Sequence, residues 1–348
     1  MKYFLQVLFF ALSFNAFAEA PIILNKNLKT PPPRIIRTCC SFGADVKVAG
    51  IPFLKITEIT EVSKIGAHKF LGAKEENNGI VYTQNGGFID LGHLRDIADF
   101  TGYLYSYIQS EKENENFSLK LGNEAGMKTV LFKIDADISN YDAAQLAGKI
   151  AYDLSVWHEI STYYGASYIP MVPERYSSFS LEDAYSNLLG VHLGIKSLLS
   201  DKPFEESMTD LISETLEKLE VVPSREDTYD AMIAVRDIWW SGKAKLPSRK
   251  VLIKRQFEVY GKVLPLLVDE TRFEYANQNG LVVPHETSTQ QDINALYSLN
   301  IKPNYKIPYD KIFGDVSKEK VITQLDFPAL IAYAKEDSEK DLLENYKK

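Results

Sequence analysis

The sequence has few cysteines and no excess of positive charge. Its only two cysteines, Cys39 and Cys40, are adjacent, whereas proteins that depend on disulfides usually carry several spaced pairs, so a disulfide-stapled scaffold is excluded. Lysine and arginine number 39 against 47 acidic residues, a formal net charge of -8. Such a chain has no general attraction to nucleic acid or anionic lipid. We expect no nucleic-acid partner, which leaves a small molecule, a peptide or a cell-envelope component.

Long hydrophobic runs are also absent, apart from one at the start of the chain. Lys2 precedes the apolar stretch 3–14, and Ala16-Phe17-Ala18 follows it, an order typical of a secretory signal peptide cleaved near Ala18. Roughly a dozen apolar residues fall short of the ~20 needed to span a bilayer. We therefore predict a signal peptide at 1–18 and an exported, periplasmic protein, with no integral membrane segment after cleavage.

Composition along the chain predicts one large domain between two less regular segments. Residues 19–38 contain Pro31-Pro32-Pro33 and form a Pro-rich lead-in that is too interrupted to pack as a regular element. Residues 39–288 carry the patterns of a single α+β domain. Residues 289–348 are a Lys-rich C-terminal extension with a last helix near 327–337.

The period of the apolar residues changes from strand to helix and back. Short β-prone stretches fill 39–90, residues 117–135 predict a hairpin, and two apolar runs after Pro247 flank a turn at 260–262. Between these regions helical spacing predicts central helices at about 91–108, 139–164, 180–199, 204–220 and 227–240. Short antiparallel strands before and after these helices indicate an α+β fold rather than a doubly wound sheet.

The stretch WHEISTYYG, residues 157–165, begins like the zinc-binding helix motif H-E-x-x-H. In that motif two histidines one helical turn apart bind zinc, and the glutamate between them is the base for the bound water. His158 and Glu159 are present here, but Thr162 stands where the second histidine is expected. A hydroxyl is a poor zinc ligand, so an ion at this helix needs another imidazole.

Further ligands are predicted on two other segments. In thermolysin-like zinc peptidases a third ligand follows the helix motif in a sequence of the form E-x-x-S-D. Here Asp183-Ala-Tyr-Ser186-Asn187, with Glu182 just before it, follows His158 and Glu159 at a similar separation. The chain thus shows a partial, degenerate resemblance to that group. The missing imidazole is best supplied by His93, which the pattern places at a loop-to-helix junction.

These residues predict a metal-dependent hydrolase of the peptidase or amidase type. His93, His158 and either Glu182 or Asp183 would hold an ion, for which zinc is the expected metal, and Glu159 would activate water. Glu159 lies roughly 200° from the apolar stripe of its helix, so this role requires a helix buried on both sides. The polar residues predicted to support the site are Asp90, Arg95, Asp96, Thr162, Ser186 and Asn187.

Two alternatives follow from the same residues. Ser180 and Asp183 have the spacing of a helix capping box, and the polar cluster could be a buried hydrogen-bond network in a non-catalytic envelope protein with a binding or structural role. The second alternative is a thiol hydrolase, in which Cys39 or Cys40 pairs with His68 or His93.

Three blocks of sequence, GGFIDLGHLRD (86–96), WHEISTYYG (157–165) and EDAYSNLLG (182–190), resemble an uncharacterised family of exported bacterial proteins, a domain of unknown function. The resemblance spans most of residues 35–290. It implies a bacterial envelope origin and assigns no activity. Because the candidate residues fall within the three blocks, it also implies that they share one polar pocket.

Overall fold

The computed structural model describes residues 42–51, 53–71, 79–114, 116–122, 125–167, 174–248, 250–314 and 321–346. The predicted signal peptide, the Pro-rich lead-in, Cys39 and Cys40 lie outside these residues. The fold is α+β, as the sequence predicts, with long helices in the middle of the chain and short, mostly antiparallel strands around them.

The helices are α1 (Leu91–Glu111), α2 (Asn140–Tyr163), α3 (Asp183–Leu198), α4 (Phe204–Lys218), α5 (Arg225–Ala234), α6 (Phe273–Gln278), α7 (Tyr309–Phe313) and α8 (Phe327–Tyr346). The predicted helix near 327–337 is therefore present and longer than expected. No helix in the described part of the chain is both long and apolar enough to cross a membrane.

The strands are β1 (Val46–Val48), β2 (Lys55–Ile56), β3 (Ile80–Thr83), β4 (Gly87–Asp90), β5 (Ser118–Leu121), β6 (Met127–Phe132), β7 (Lys245–Leu246), β8 (Lys262–Val263), β9 (Leu281–Val282) and β10 (Tyr297–Lys302). They form two three-stranded sheets, β2-β1-β7 and β10-β6-β5, and the antiparallel pairs β3-β4 and β8-β9. The predicted hairpin at 117–135 is the β5-β6 pair.

Helices α1, α2 and α3 pack closely because glycines stand at their crossings. A Cβ on Gly190 of α3 would overlap the backbone carbonyl of Leu94 in α1, and a Cβ on Gly148 of α2 would press on Val191 and Ile195 of α3. The α2 helix is buried on nearly every side. Glu159, opposite the apolar stripe, is consequently inside the protein, as a role in a buried site requires.

The predicted helix at 227–240 is too long. The observed helix ends at Ala234, and the chain reverses at Asp237, whose φ is 61°. The reversal buries Trp239 and Trp240 in a second, smaller hydrophobic core beside the main one. There the indole N–H of Trp240 donates to the carbonyl of Met232, a contact that a continuous helix would not allow.

The two apolar runs after Pro247 do not pair with each other, which corrects the hairpin expected around 260–262. Strand β8 pairs instead with β9. The first run is held by other partners: the N–H of Gln256 donates to the carbonyl of Phe179, and the Arg255 guanidinium donates to the carbonyls of Ser178 and Arg175. The segment thus braces the loop that precedes α3.

Much of the predicted C-terminal extension contributes to the main core. Strand β10 pairs with β6 along its whole length. Phe327 of α8 stacks on Trp157 of α2 with ring centroids 5.7 Å apart, and the Tyr164 hydroxyl donates to the carbonyl of Leu330. The helix that carries His158 and Glu159 is therefore packed on one side by residues from the end of the chain.

Candidate functional site

Asp90 joins strand β4 to helix α1 and is the first component of a buried polar cluster. It is the N-cap of α1, and its Oδ1 accepts from the N–H groups of Gly92 at 2.7 Å and His93 at 3.0 Å. Its own N–H donates to Ser186 Oγ of α3 at 2.9 Å. One carboxylate oxygen is thus used in capping, while Oδ2 faces the cluster.

His93, in the first turn of α1, faces two carboxylates. Its Nδ1 lies 3.0 Å from Asp90 Oδ2 and 3.5 Å from Asp183 Oδ1. Although these distances are short, the ring nitrogen has no aligned hydrogen-bond acceptor among the described residues. The ring is 14% exposed, whereas the Asp90 and Asp183 side chains are 2% and 4% exposed. His93 is therefore the most accessible member of the group.

The two acids at the start of α3 are not used to cap that helix, which counts against the capping-box interpretation. The N-cap is Glu182, which makes no side-chain capping bond, and Ser180 Oγ donates to Glu182 Oε2 at 2.6 Å instead. Glu182 Oε1, Asp183 Oδ1 and Asn187 Oδ1 are buried and accept no hydrogen bond from any described residue. Three acceptor oxygens are therefore available for another donor or an ion.

Glu159 approaches the same cluster from α2. Its Oε2 accepts from the N–H of Phe179 at 2.5 Å, and its charge acts on both His93 and Asp183. Phe179 has a φ of 55°, a left-handed conformation that is rare for a bulky residue and is found preferentially where function requires it. The loop before α3 thus fixes one oxygen of Glu159.

Burial of several acids in one cluster disfavours their charged forms and shifts the pKa values of the groups in it. Burial would lower the pKa of the His93 imidazole, but Asp183, Asp90 and Glu159 outweigh it and raise the pKa to about 10. Burial raises the pKa of Glu182 to about 8 and holds the pKa of Asp183 well above its usual range. Among the described residues, Glu182 and Asp183 form no ion pair with lysine or arginine.

Asp90, His93 and Asp183 could hold a metal ion, because one ligand atom from each lies within 4.8 Å of the other two. Of the predicted ligands, His93 and Asp183 are brought together here. Asp90, predicted as a supporting residue, joins them. The spacing Asp90-x-x-His93 could have shown this, since an N-cap and the third residue of its helix lie on one face.

Other predicted site residues lie outside this group of three. His158 is buried, and its backbone carbonyl accepts from Ser161 Oγ and Thr162 Oγ1 at 2.9 Å each; Thr162 Oγ1 also contacts the Glu159 carbonyl at 3.1 Å. The Thr162 hydroxyl is thus occupied by its own helix. Asp96 is half-buried, one turn beyond His93.

Arg95 points into a different buried network. Its Nη2 donates to the Gly66 carbonyl at 2.8 Å, and its Nη1 lies 3.5 Å from His68 Nδ1. The other ring nitrogen of His68 lies 2.8 Å from Asp99 Oδ1. His68, one of the histidines considered for a thiol pair, is therefore engaged on the opposite side of α1.

A family model described as "Protein of unknown function (DUF4056)" matches residues 27–269. The chain belongs to this family. The uncharacterised family inferred from the sequence is thereby confirmed, and DUF4056 assigns no activity. All residues of the cluster fall within the matched range, whereas β10 and α8 lie beyond it. No curated protein and no solved structure matches the chain.

Proposed function

We propose that this protein is a metal-dependent hydrolase, of the peptidase or amidase type, whose ion is held by Asp90, His93 and Asp183. The observation that supports the proposal most strongly is the convergence of these three donors in a buried site. One imidazole and two carboxylates suit zinc or another first-row transition metal, with a coordination position left for water.

The distances between the donor atoms are compatible with a single ion. Ligands bound at ~2.0–2.1 Å in a tetrahedron lie about 3.4 Å from one another. The His93 nitrogen is 3.0 Å and 3.5 Å from the nearest oxygens of Asp90 and Asp183. All three ligand atoms lie within 4.8 Å of one another, so side-chain rotation would have to close the longest of these distances for the three donors to bind one ion.

The charge of the cluster also favours a cation. Buried carboxylates without cationic partners are strongly disfavoured, and they are normally paired, protonated or bound to metal. Here the charges of Asp90, Glu159 and Asp183 act on the His93 imidazole, and among the described residues Glu182 and Asp183 form no ion pair with lysine or arginine. A divalent ion would balance two of these charges and would favour the deprotonated carboxylates and the neutral imidazole.

Within this proposal each residue has a separate task. A bound ion would supply Lewis acidity, which lowers the pKa of water and polarises a carbonyl group. Glu159, held through Oε2 by the Phe179 N–H, would accept the proton from the attacking water. Ser186 keeps Asp90 in place through the Asp90 N–H. We further infer from residues 1–18 that the enzyme acts in the periplasm.

The first prediction concerns metal content. The parent chain, purified without chelator and exposed to zinc, is expected to retain about one equivalent of metal by elemental analysis, and His93→Ala is expected to retain little. His192→Gln is the matched control, because His192 lies on α3 and, among the described residues, its ring bonds to the Val282 carbonyl away from the cluster. His158→Ala tests the ligand predicted from the sequence motif. Equal metal in His93→Ala and His192→Gln would exclude this site.

A second variant separates catalysis from binding. Glu159→Gln keeps an oxygen for the Phe179 N–H and is expected to retain metal, while peptide or amide hydrolysis falls by about 10²–10⁴-fold because the general base is lost. The measurement is single-turnover hydrolysis over a panel of peptides and amides, with metal content determined on the same sample. Bound metal without hydrolysis in the parent chain would support a metal-binding envelope protein instead.

Thr162 is expected to contribute little. Among the described residues its hydroxyl bonds to carbonyls of its own helix, so Thr162→Val should leave the metal content unchanged and alter the free energy of unfolding by about 1 kcal/mol or less. Urea denaturation and elemental analysis test both statements. A loss of metal in this variant would mean that the H-E-x-x-T stretch takes part in coordination after all.

A further inference from the structure

An exposed apolar loop projects from the small sheet on the second core. The connection between β1 and β2 carries Ile51, Phe53 and Leu54, whose exposures are 52%, 102% and 43%. Phe53 takes a φ of 72°, and hydrogen bonds from Val48 N to the Leu54 carbonyl and from Leu54 N to the Ile51 carbonyl close the loop. Single exposed apolar residues are common, but three such residues close together in one connection indicate an interaction site.

Three lysines stand side by side at the base of this loop. In the register of the sheet, Lys47 of β1 is opposite Lys55 of β2 on one side and Lys245 of β7 on the other. Residues directly opposite each other share one face of a sheet, and like charges in such positions are destabilising. All three lysines are exposed. The row is therefore unfavourable to the isolated fold and suited to an anionic partner.

The β2-β1-β7 sheet fixes the position of the three lysines relative to the apolar loop. Side chains alternate along a strand, so Val46, on the opposite face from Lys47, is buried in the second core with Phe42, Trp239 and Trp240. Lys55 directly follows Leu54, and Lys47 precedes the loop by two residues, about 7 Å of strand. Among the described residues Asp45 is an acid beside this row: its Oδ2 lies 3.9 Å from Lys55 Nζ and accepts from the Tyr229 hydroxyl at 3.0 Å.

We propose that this loop and the lysine row dock the protein on an anionic phospholipid surface, with Phe53, Ile51 and Leu54 entering the interface and Lys47, Lys55 and Lys245 facing the headgroups. Apolar side chains beside cations are the arrangement that binds such surfaces. The apolar surface offered by Ile51, Phe53 and Leu54 is small compared with the ~800 Å² that each partner buries in a stable protein interface, so a lipid surface is the favoured partner. The chain as a whole is acidic, so the attraction to anionic headgroups comes from these three lysines and not from the net charge.

The test is sedimentation with vesicles of phosphatidylcholine alone or with 30% phosphatidylglycerol, a composition chosen for the assay. Chains are expressed with their own leader and purified from the exported fraction, and mass spectrometry verifies that all share one N-terminus. The parent chain is expected to bind the anionic vesicles and to release them at high salt. Phe53→Ser should weaken binding about 10-fold or more, and Lys47→Gln and Lys245→Gln about 5-fold each.

Matched controls are Phe273→Ser, which changes a phenylalanine that is 63% exposed elsewhere, and Lys340→Gln, which changes a lysine that is 72% exposed on α8. Both should bind like the parent chain. The proposal fails if the parent ignores anionic vesicles, or if Phe53→Ser binds as well as Phe273→Ser. It also fails if Phe53→Ser abolishes a dimer seen by ultracentrifugation, since the loop would then contact a second copy.

Discussion

Without metal, Asp183→Asn is expected to unfold at a higher temperature than the parent chain, and with saturating zinc the order is expected to reverse. Burial holds the pKa of Asp183 well above its usual range, so its charged form destabilises the metal-free fold above the pKa of the unfolded chain. At neutral pH the amide removes that penalty, so the metal-free variant should be the more stable of the two. Zinc at 1,000 times its Kd would stabilise only the parent, by about 4 kcal/mol.

Thermal unfolding of both chains, once with chelator and once with zinc, tests whether the order of their unfolding temperatures reverses. Asp142→Asn is the matched control. Burial raises the pKa of Asp142, but hydrogen bonds from Ser288 and Ser139 outweigh it and lower the pKa. Asp142→Asn should therefore be less stable than the parent in both conditions. If the cluster is only a hydrogen-bond network, Asp183→Asn will behave like this control, with a loss of about 1–3 kcal/mol.

Gly190→Ala is expected to destabilise the protein by about 1–3 kcal/mol or more and to lose any metal that His93 and Asp183 bind. Within a helix this change normally stabilises by roughly 0.5–1 kcal/mol. Here the new Cβ would overlap the Leu94 carbonyl, so one backbone must move, and overpacking of this kind costs ~1–3 kcal/mol or more. Since Leu94 follows His93, that movement would also displace His93 from Asp183.

Alanine substitutions at two other glycines are expected to destabilise the protein less than Gly190→Ala. A Cβ on Gly194, one turn further along α3, would meet Ala98 of α1 at 3.2 Å, and a Cβ on Gly122 would meet nothing within 4 Å. Urea denaturation should therefore rank Gly190→Ala as the least stable, Gly194→Ala between, and Gly122→Ala close to the parent chain. Equal stability of Gly190→Ala and Gly122→Ala would contradict the close crossing of α1 and α3.

Local patterns in the sequence were sufficient to predict the central helices and the β5-β6 hairpin. The stripe of apolar residues in 139–164 predicts α2 almost to its ends, because a helix of that length is determined by its own periodicity. The end of α5 was missed because burial of Trp239 and Trp240 in the second core depends on tertiary contacts. Strand β10 was missed because its pairing with β6 joins residues far apart in sequence.

In the candidate site, too, some features follow from local sequence and others depend on tertiary contacts. His93 and Asp183 could be proposed from motif spacing, whereas the meeting of α1 and α3 depends on a glycine contact that no local pattern reveals. Resemblance to H-E-x-x-H drew attention to His158 as a ligand. The structure places beside His93 the capping residue Asp90, whose role at the helix N-terminus concealed a second carboxylate oxygen.

The stacking of Phe327 on Trp157 and the pairing of β10 with β6 bear on how the protein can be divided for study. A fragment cut at residue 269, the end of the family match, would contain every residue of the candidate site. It would still lack the residues of α8 that pack on α2. It would also leave β6 with an open edge, which is prone to intermolecular pairing. Fragments for crystallisation or for metal-binding and activity assays should therefore extend through α8.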